Sequence, residues 1–172
     1  PKFAGGRSPK KSHLKYGFIQ ALSLVSAQIQ QGKDAQNKAS TFLFTSSLPD
    51  EGKSTITMHL AKSLTRQGLR VLVIDGDVRR PSLHKLMQMG DPLYLSDFDP
   101  QRESYRKVVH EQRRSNASFV FSPPARDEQD CQKLLKLVAL VAVQAAEDFD
   151  VILIDTSPIM ATSDVVVLSG LL

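Results

Sequence analysis

The chain has 172 residues, of which 41% are hydrophobic, 23% charged and 6% aromatic, with no tryptophan, one cysteine and a formal net charge of +4. That is about one ordinary domain, long enough to bury roughly two thirds of its unfolded surface, and it excludes a disordered chain, a collagen-like fibre and a disulfide scaffold, since Cys131 has no second cysteine to pair with. No apolar stretch approaches the roughly eighteen residues of a membrane-spanning helix, and the N-terminal residues lack the apolar run of a signal peptide.

The basic charge is concentrated at one end. Residues 1–33 carry Lys2, Arg7, Lys10, Lys11, Lys15 and Lys33 and no acidic residue, a local +6 that leaves −2 for the rest. Residues 1–15, with Gly5, Gly6 and Pro9, read as an arm that is either a solvated tail or a segment lying against anionic lipid or another acidic surface. Nucleic acid is not expected as a partner, because no aromatic residues are interleaved with the basic ones in a stacking pattern. From Tyr16 the pattern changes. Phe18, Leu22, Val25 and Ile29 recur at helical spacing and predict an amphipathic helix over 17–31, stopped near Gly32.

Three short apolar runs bounded by turn or helix signals predict buried parallel strands: 41–45 (TFLFT), 71–74 (VLVI) and 151–154 (VILI), with 118–121 (SFVF) a weaker fourth. Helices are predicted over 54–67, ending at Gly68, and over 132–147. Residues 89–114 mix Pro, Asp, Arg and Tyr without a period and read as a loop-rich excursion. Strand, helix and strand at this spacing imply an α/β fold with right-handed crossovers and a sheet covered on both faces.

The string FTSSLPDEGKSTITMHLA, residues 44–61, runs from a strand through a loop into a helix. That is what a nucleotide's phosphates require: loop N–H groups and a helix N-terminus supply donors, and Lys53 reaches the β and γ phosphates. The Ser54 hydroxyl is then placed for Mg²⁺, Thr55 for the α-phosphate, and Gly52 lets the backbone approach. The usual GxxxxGKS/T pattern would have glycine at position 47, where this chain has Ser47. A helix start capped by Ser46 or Ser47, with Lys53 in solvent, would use the same letters, but the flanking strand and helix argue for the phosphate loop.

Two other strands end in aspartate: VLVI leads into Asp75, Gly76, Asp77, Val78 and Arg79, and VILI into Asp155, Thr156, Ser157 and Pro158. Ligands of a parallel sheet bind outside the carboxyl ends of its strands. Three carboxylates there repel one another unless a cation sits among them, and Mg²⁺ carried by ATP and held by Ser54, Asp77 and Asp155 meets that need. Asp75 or Asp77 could orient or deprotonate an attacking hydroxyl, and Asp77 is preferred.

Together the DxDxR of residues 75–79, the DxxP of residues 155–158 and the SxxPxEGKST of residues 46–55 resemble the bacterial tyrosine kinases, the cytoplasmic domains or subunits of polysaccharide co-polymerases. The resemblance runs from about Gly17 to the end of the chain. It implies a P-loop NTPase domain over 16–172, with its C-terminal elements missing and Asp164–Leu172 helical. It also implies ATP and Mg²⁺ as cofactors, autophosphorylation on tyrosine, and a role in capsule or exopolysaccharide export at the cytoplasmic face of the inner membrane. The implied catalytic set is Lys53, Asp75, Asp77 and Asp155; the implied nucleotide-binding set is Ser47, Pro49, Asp50, Glu51, Gly52, Lys53, Ser54, Thr55 and Arg79. Implied partners are a tyrosine tail of the same or a neighbouring subunit, a transmembrane co-polymerase segment or subunit, and further copies of the chain. Partition and cell-division ATPases of the MinD and ParA type carry a second loop lysine where this chain has Leu48. The family's Glu-x-x-Arg-x-x-Arg ring signature falls on Gly17, Gln20 and Ser23, and the tyrosines are the dispersed Tyr16, Tyr94 and Tyr105. Other readings of the same residues are an ATPase switch without a protein acceptor and a nucleotide-binding interaction module without kinase activity.

If the arm lies on lipid, a chain without residues 1–15 will bind vesicles of anionic lipid more weakly than the whole chain in a co-sedimentation assay; equal binding by both removes that reading of the arm.

Overall fold

In the computed structural model, which describes residues 20–29, 39–112 and 116–172, the apolar runs form one five-stranded sheet. Its strands are β1 (Ser40–Phe44), β2 (Val71–Gly76), β3 (His110–Gln112), β4 (Ala117–Val120) and β5 (Val151–Thr156), in the spatial order β1-β5-β2-β4-β3. All neighbours are parallel except β3, which pairs antiparallel with β4 at the edge. The two central strands, β2 and β5, are buried at every residue. Strands covered on both faces are apolar throughout rather than alternating, as VLVI and VILI are.

Helices cover both faces. Residues 20–29 form α1, and α2 spans Lys53–Arg66, α3 Leu83–Leu86, α4 Glu128–Ala145 and α5 Asp164–Leu171. Side chains alternate across a strand, so the core divides in two. Leu72, Ile74, Ile152 and Ile154 pack with α4 and with Leu168 of α5. Val71, Val73, Val151 and Leu153 pack with Leu60 and Leu64 of α2, Leu83 of α3, and Leu22 and Ile29 of α1. Asp75 and Asp155 continue the second series and so belong to the α2 face.

Several expectations shift. The buried stripe of α1 is Leu22, Ser26 and Ile29, whereas Val25 is exposed. Ser26 can replace it because its Oγ lies 2.8 Å from the Leu22 carbonyl and 3.0 Å from Ser63 Oγ, which satisfies a buried hydroxyl. Phe18, Gly32, Gly17 and the arm lie outside the described residues, while Gln20 and Ser23 are exposed on α1. Helix α4 begins at Glu128, earlier than expected, because the Asp127 side chain caps it by accepting the Asp130 N–H at 2.8 Å. The 89–114 excursion contains two 3-10 turns, Leu95–Asp97 and Tyr105–Val108, and the polar strand β3, which no apolar run announces. Residues 164–171 are helical, as the resemblance implied. No helix among the described residues is long and apolar enough to cross a membrane.

Gly76, the last residue of β2, faces Ile154 and Asp155 of β5 with no room for a side chain. A Cβ there would lie 2.7 Å from Ile154 Cγ2 and 3.1 Å from the Asp155 carbonyl oxygen. Gly76→Ala is therefore expected to destabilise the fold by about 1–3 kcal/mol through overpacking, read as a lowered urea midpoint with an unchanged m-value.

Candidate functional site

Phosphate loop and carboxylates meet because of strand register. Asp75 pairs with Asp155, and Asp155 in turn with Phe44, the last residue of β1, so the loop leaving β1 starts beside both acids. That loop, residues 45–52, is tied down on two sides. The Glu51 carboxylate accepts the Ser47 and Leu48 N–H groups at 2.9 and 3.1 Å. The Ser46 carbonyl accepts the Ile159 N–H at 2.9 Å, and Thr45 Oγ1 donates to the Ser157 carbonyl at 2.8 Å, which binds the loop to the turn after β5. Pro49 and Asp50 are exposed at the loop's tip.

Helix α2 starts from Gly52, whose φ of +87° is the left-handed conformation that glycine adopts without strain. It has no side-chain cap, so Ser46 and Ser47 are not helix caps. Nor is Lys53 in solvent: its side chain is 10% exposed, with Nζ 3.7 Å from Asp77 Oδ2. Ser54 Oγ lies 3.1 Å from Ser82 Oγ, and Thr55 is exposed on the first turn of α2.

The three acids have different surroundings. Asp75 Oδ2 accepts the Ser82 and Leu83 N–H groups at 3.2 and 3.1 Å, the role of a helix cap for α3, while its buried Oδ1 has no partner. Neither oxygen of the fully buried Asp155 has a hydrogen-bond partner. Asp77 Oδ1 accepts the Arg80 N–H at 3.1 Å and the Ser157 hydroxyl at 2.8 Å, and Oδ2 faces Lys53. Burial pushes the Asp155 carboxyl up to about 6 against the pull of the nearby Ser54 hydroxyl and Lys53 ammonium. Burial, then the neighbouring Asp155, drive Asp75 well above the usual carboxylate range.

Orphaned, buried carboxylate oxygens beside a lysine and a serine hydroxyl suit a hard cation. Among the described residues no group of three His, Cys, Asp or Glu side chains forms a metal cage by itself.

Arg79 has partners other than the expected nucleotide. Its Nε and Nη2 donate to Asp164 at 2.9 and 3.1 Å, and Nη2 also reaches Glu128 at 2.8 Å. The sequence reading missed Ser82, and it noticed Ser157 and Asp164 only as motif and helix-start letters. A cleft of about 590 Å³, lined among others by Arg70, Tyr105, Arg106 and Asp148, opens at the other end of the sheet and includes no residue of this site.

Residues 43–156 match the CobQ/CobB/MinD/ParA nucleotide binding domain. The chain belongs to this family. Its relatives include the tyrosine-protein kinase YwqD of Bacillus subtilis (strain 168), 30% identical over 131 residues, covering 74% of this chain and 54% of the relative. Another is the putative tyrosine-protein kinase CapB of Staphylococcus aureus, 26% identical, covering 76% and 58%. The chain thus spans a little over half the length of these two relatives. Among solved structures, the BceF tyrosine kinase domain superposes with a TM-score of 0.69 at 27% identity, over 89% of this chain and 61% of that one. The kinase domain of Escherichia coli tyrosine kinase ETK gives 0.75 at 21% identity, over 87% and 58%. MinD of Pyrococcus horikoshii, complexed with Mg-ADP, gives 0.56 at 23% identity over 68% and 48%. The last two likenesses show the fold, a P-loop α/β architecture with a mostly parallel sheet.

An acid whose folded-state value is raised binds its proton more tightly when folded, so stability falls as pH rises from the unfolded value of 3.8 to about 6. For Asp155 the loss is on the order of 3 kcal/mol. Asp155→Asn is expected to be more stable than the wild type at pH 8, without Mg²⁺ or nucleotide, and to lose that advantage below pH 4. Urea unfolding across this range checks it; parallel pH profiles would show that the carboxyl is not the source.

Proposed function

We propose that the chain is the catalytic domain of a protein-tyrosine kinase that uses Mg-ATP, acts on tyrosines of its own or a neighbouring subunit, and regulates capsule or exopolysaccharide polymerisation and export. The observation that carries this reading is the contact of Lys53 with Asp77 beside two buried carboxylates with orphaned oxygens. The tyrosine-protein kinases among the relatives support the choice of acceptor.

With ATP as the phosphoryl donor, Ser54, Asp77 and Asp155 would hold Mg²⁺, which would supply charge neutralisation at the phosphates. Lys53 adds positive charge where negative charge develops, and the loop from Ser47 to Thr55 orients the phosphates. Asp77 takes the proton from the acceptor tyrosine hydroxyl as its oxygen bonds to the γ-phosphorus; the bond from that phosphorus to the β–γ bridging oxygen breaks, and ADP leaves. Asp75, with one oxygen spent on the start of α3, holds the second strand end in place. Tyr105 is not the acceptor in the folded domain, since it is buried and its hydroxyl donates to Asp148. A transmembrane co-polymerase segment or subunit, and the cytoplasmic face of the inner membrane, complete the reading.

Incubated with Mg-ATP, the full-length protein is expected to gain phosphotyrosine, to lose it in Lys53→Met and to lose about 100-fold in rate in Asp77→Asn, measured by anti-phosphotyrosine blot and mass spectrometry. Equal phosphotyrosine in Lys53→Met would place the chemistry elsewhere, and phosphate release without protein phosphorylation would favour an ATPase switch.

A further inference from the structure

The Asp77 carboxylate is pinned by one oxygen. Oδ1 receives the Arg80 N–H and the Ser157 hydroxyl, which leaves Oδ2 on the side of Lys53 and the phosphate loop. The same Ser157 Oγ lies 3.2 Å from Oδ2 of Asp164, the first residue of α5, which is 1% exposed. Arg79 grips Asp164 with two donors and spans to Glu128 on α4. A chain of contacts therefore runs from Arg79 through Asp164 and Ser157 to Asp77.

A hydroxyl carries one proton, and Ser157 meets two carboxylates. Asp164 already holds two charge-assisted bonds from Arg79, and the contact to Asp77 is the shorter, so the proton goes to Asp77. Turned the other way, it would leave buried Asp77 Oδ1 with the Arg80 N–H alone. A carboxylate without such an anchor can turn about its Cβ–Cγ bond, so that the plane of its oxygens is no longer fixed.

We infer that Ser157 is a positioning residue for Asp77: its hydroxyl, left to Asp77 because Arg79 occupies Asp164, fixes the plane of the Asp77 carboxylate so that one oxygen stays aimed at the phosphate loop. The inference rests on the reading of Asp77 as proton acceptor in phosphoryl transfer. It also gives Arg79 a task that needs no contact with nucleotide.

The test uses the full-length protein and Ser157→Ala, which removes the hydroxyl and leaves the Arg79–Asp164 pair in place. Three quantities are read: kcat and KM for ATP, Mg-ADP affinity by calorimetry, and the side-chain carboxyl ¹³C resonance of Asp77 in nucleotide-free protein, assigned by its loss in Asp77→Asn. In Ser157→Ala, kcat is expected to fall about 10- to 100-fold, more than any accompanying change in KM or Mg-ADP affinity, and the Asp77 resonance to shift. Ser157→Thr should recover most of kcat and of the resonance position. An unmoved resonance in folded Ser157→Ala overturns the inference, as does unchanged kcat, or a rise in KM that matches the fall in kcat. If the wild type transfers no phosphate, the kinase reading falls, while the resonance still decides whether Ser157 orients Asp77.

Discussion

The register between β2 and β5 sets two carboxylates side by side at the end of two strands that water does not reach. Burial and mutual repulsion both oppose their charge. Much of what surrounds them reads as a response to that constraint. Backbone N–H groups at the start of α3 bond to one oxygen of Asp75, and Lys53 brings in a positive charge beside Asp77. The oxygens left over belong to Asp155 and to the inner side of Asp75. In a purely structural core such unpartnered oxygens would be a defect.

The central sheet was legible because its strands are fully buried, so each shows up as an unbroken apolar run. The phosphate loop was legible because Gly, Lys and Ser in that order between a strand and a helix have few other uses. β3 was not, since three polar residues at an edge carry no hydrophobic pattern, and their pairing with β4 depends on tertiary contact. Val25 and Ser26 exchanged roles on α1 for a related reason: hydropathy misjudges a serine whose hydroxyl finds a partner on the next helix. The network of Arg79, Ser157 and Asp164 joins residues up to 85 positions apart, and sequence spacing holds no record of such a meeting. The letters of each motif were visible, but not which motif residue faces ligand and which faces its neighbours.

Stability and chemistry draw on the same residues in this domain. Asp75 is both a strand-end acid and the partner of the first α3 amides, and Gly76 between the two motif aspartates leaves room for Ile154 where a side chain would collide. The motif is thus a packing requirement as much as a chemical one, and its three positions are held for different physical reasons. Arg79 extends this outward by linking the turn after β2 to α4 and α5 on the other face of the sheet.

Glu51 adds a consequence of another kind. Its carboxylate already sits on the Ser47 and Leu48 amides, so the loop is folded around an anion that belongs to the chain itself. Any phosphate that takes those amides arrives as a competitor and not as a first occupant, and binding becomes an exchange of one negative group for another. A loop already ordered in this way would have little ordering entropy left to lose when a ligand arrives. The cost is affinity, since each amide the ligand gains is one that Glu51 gives up.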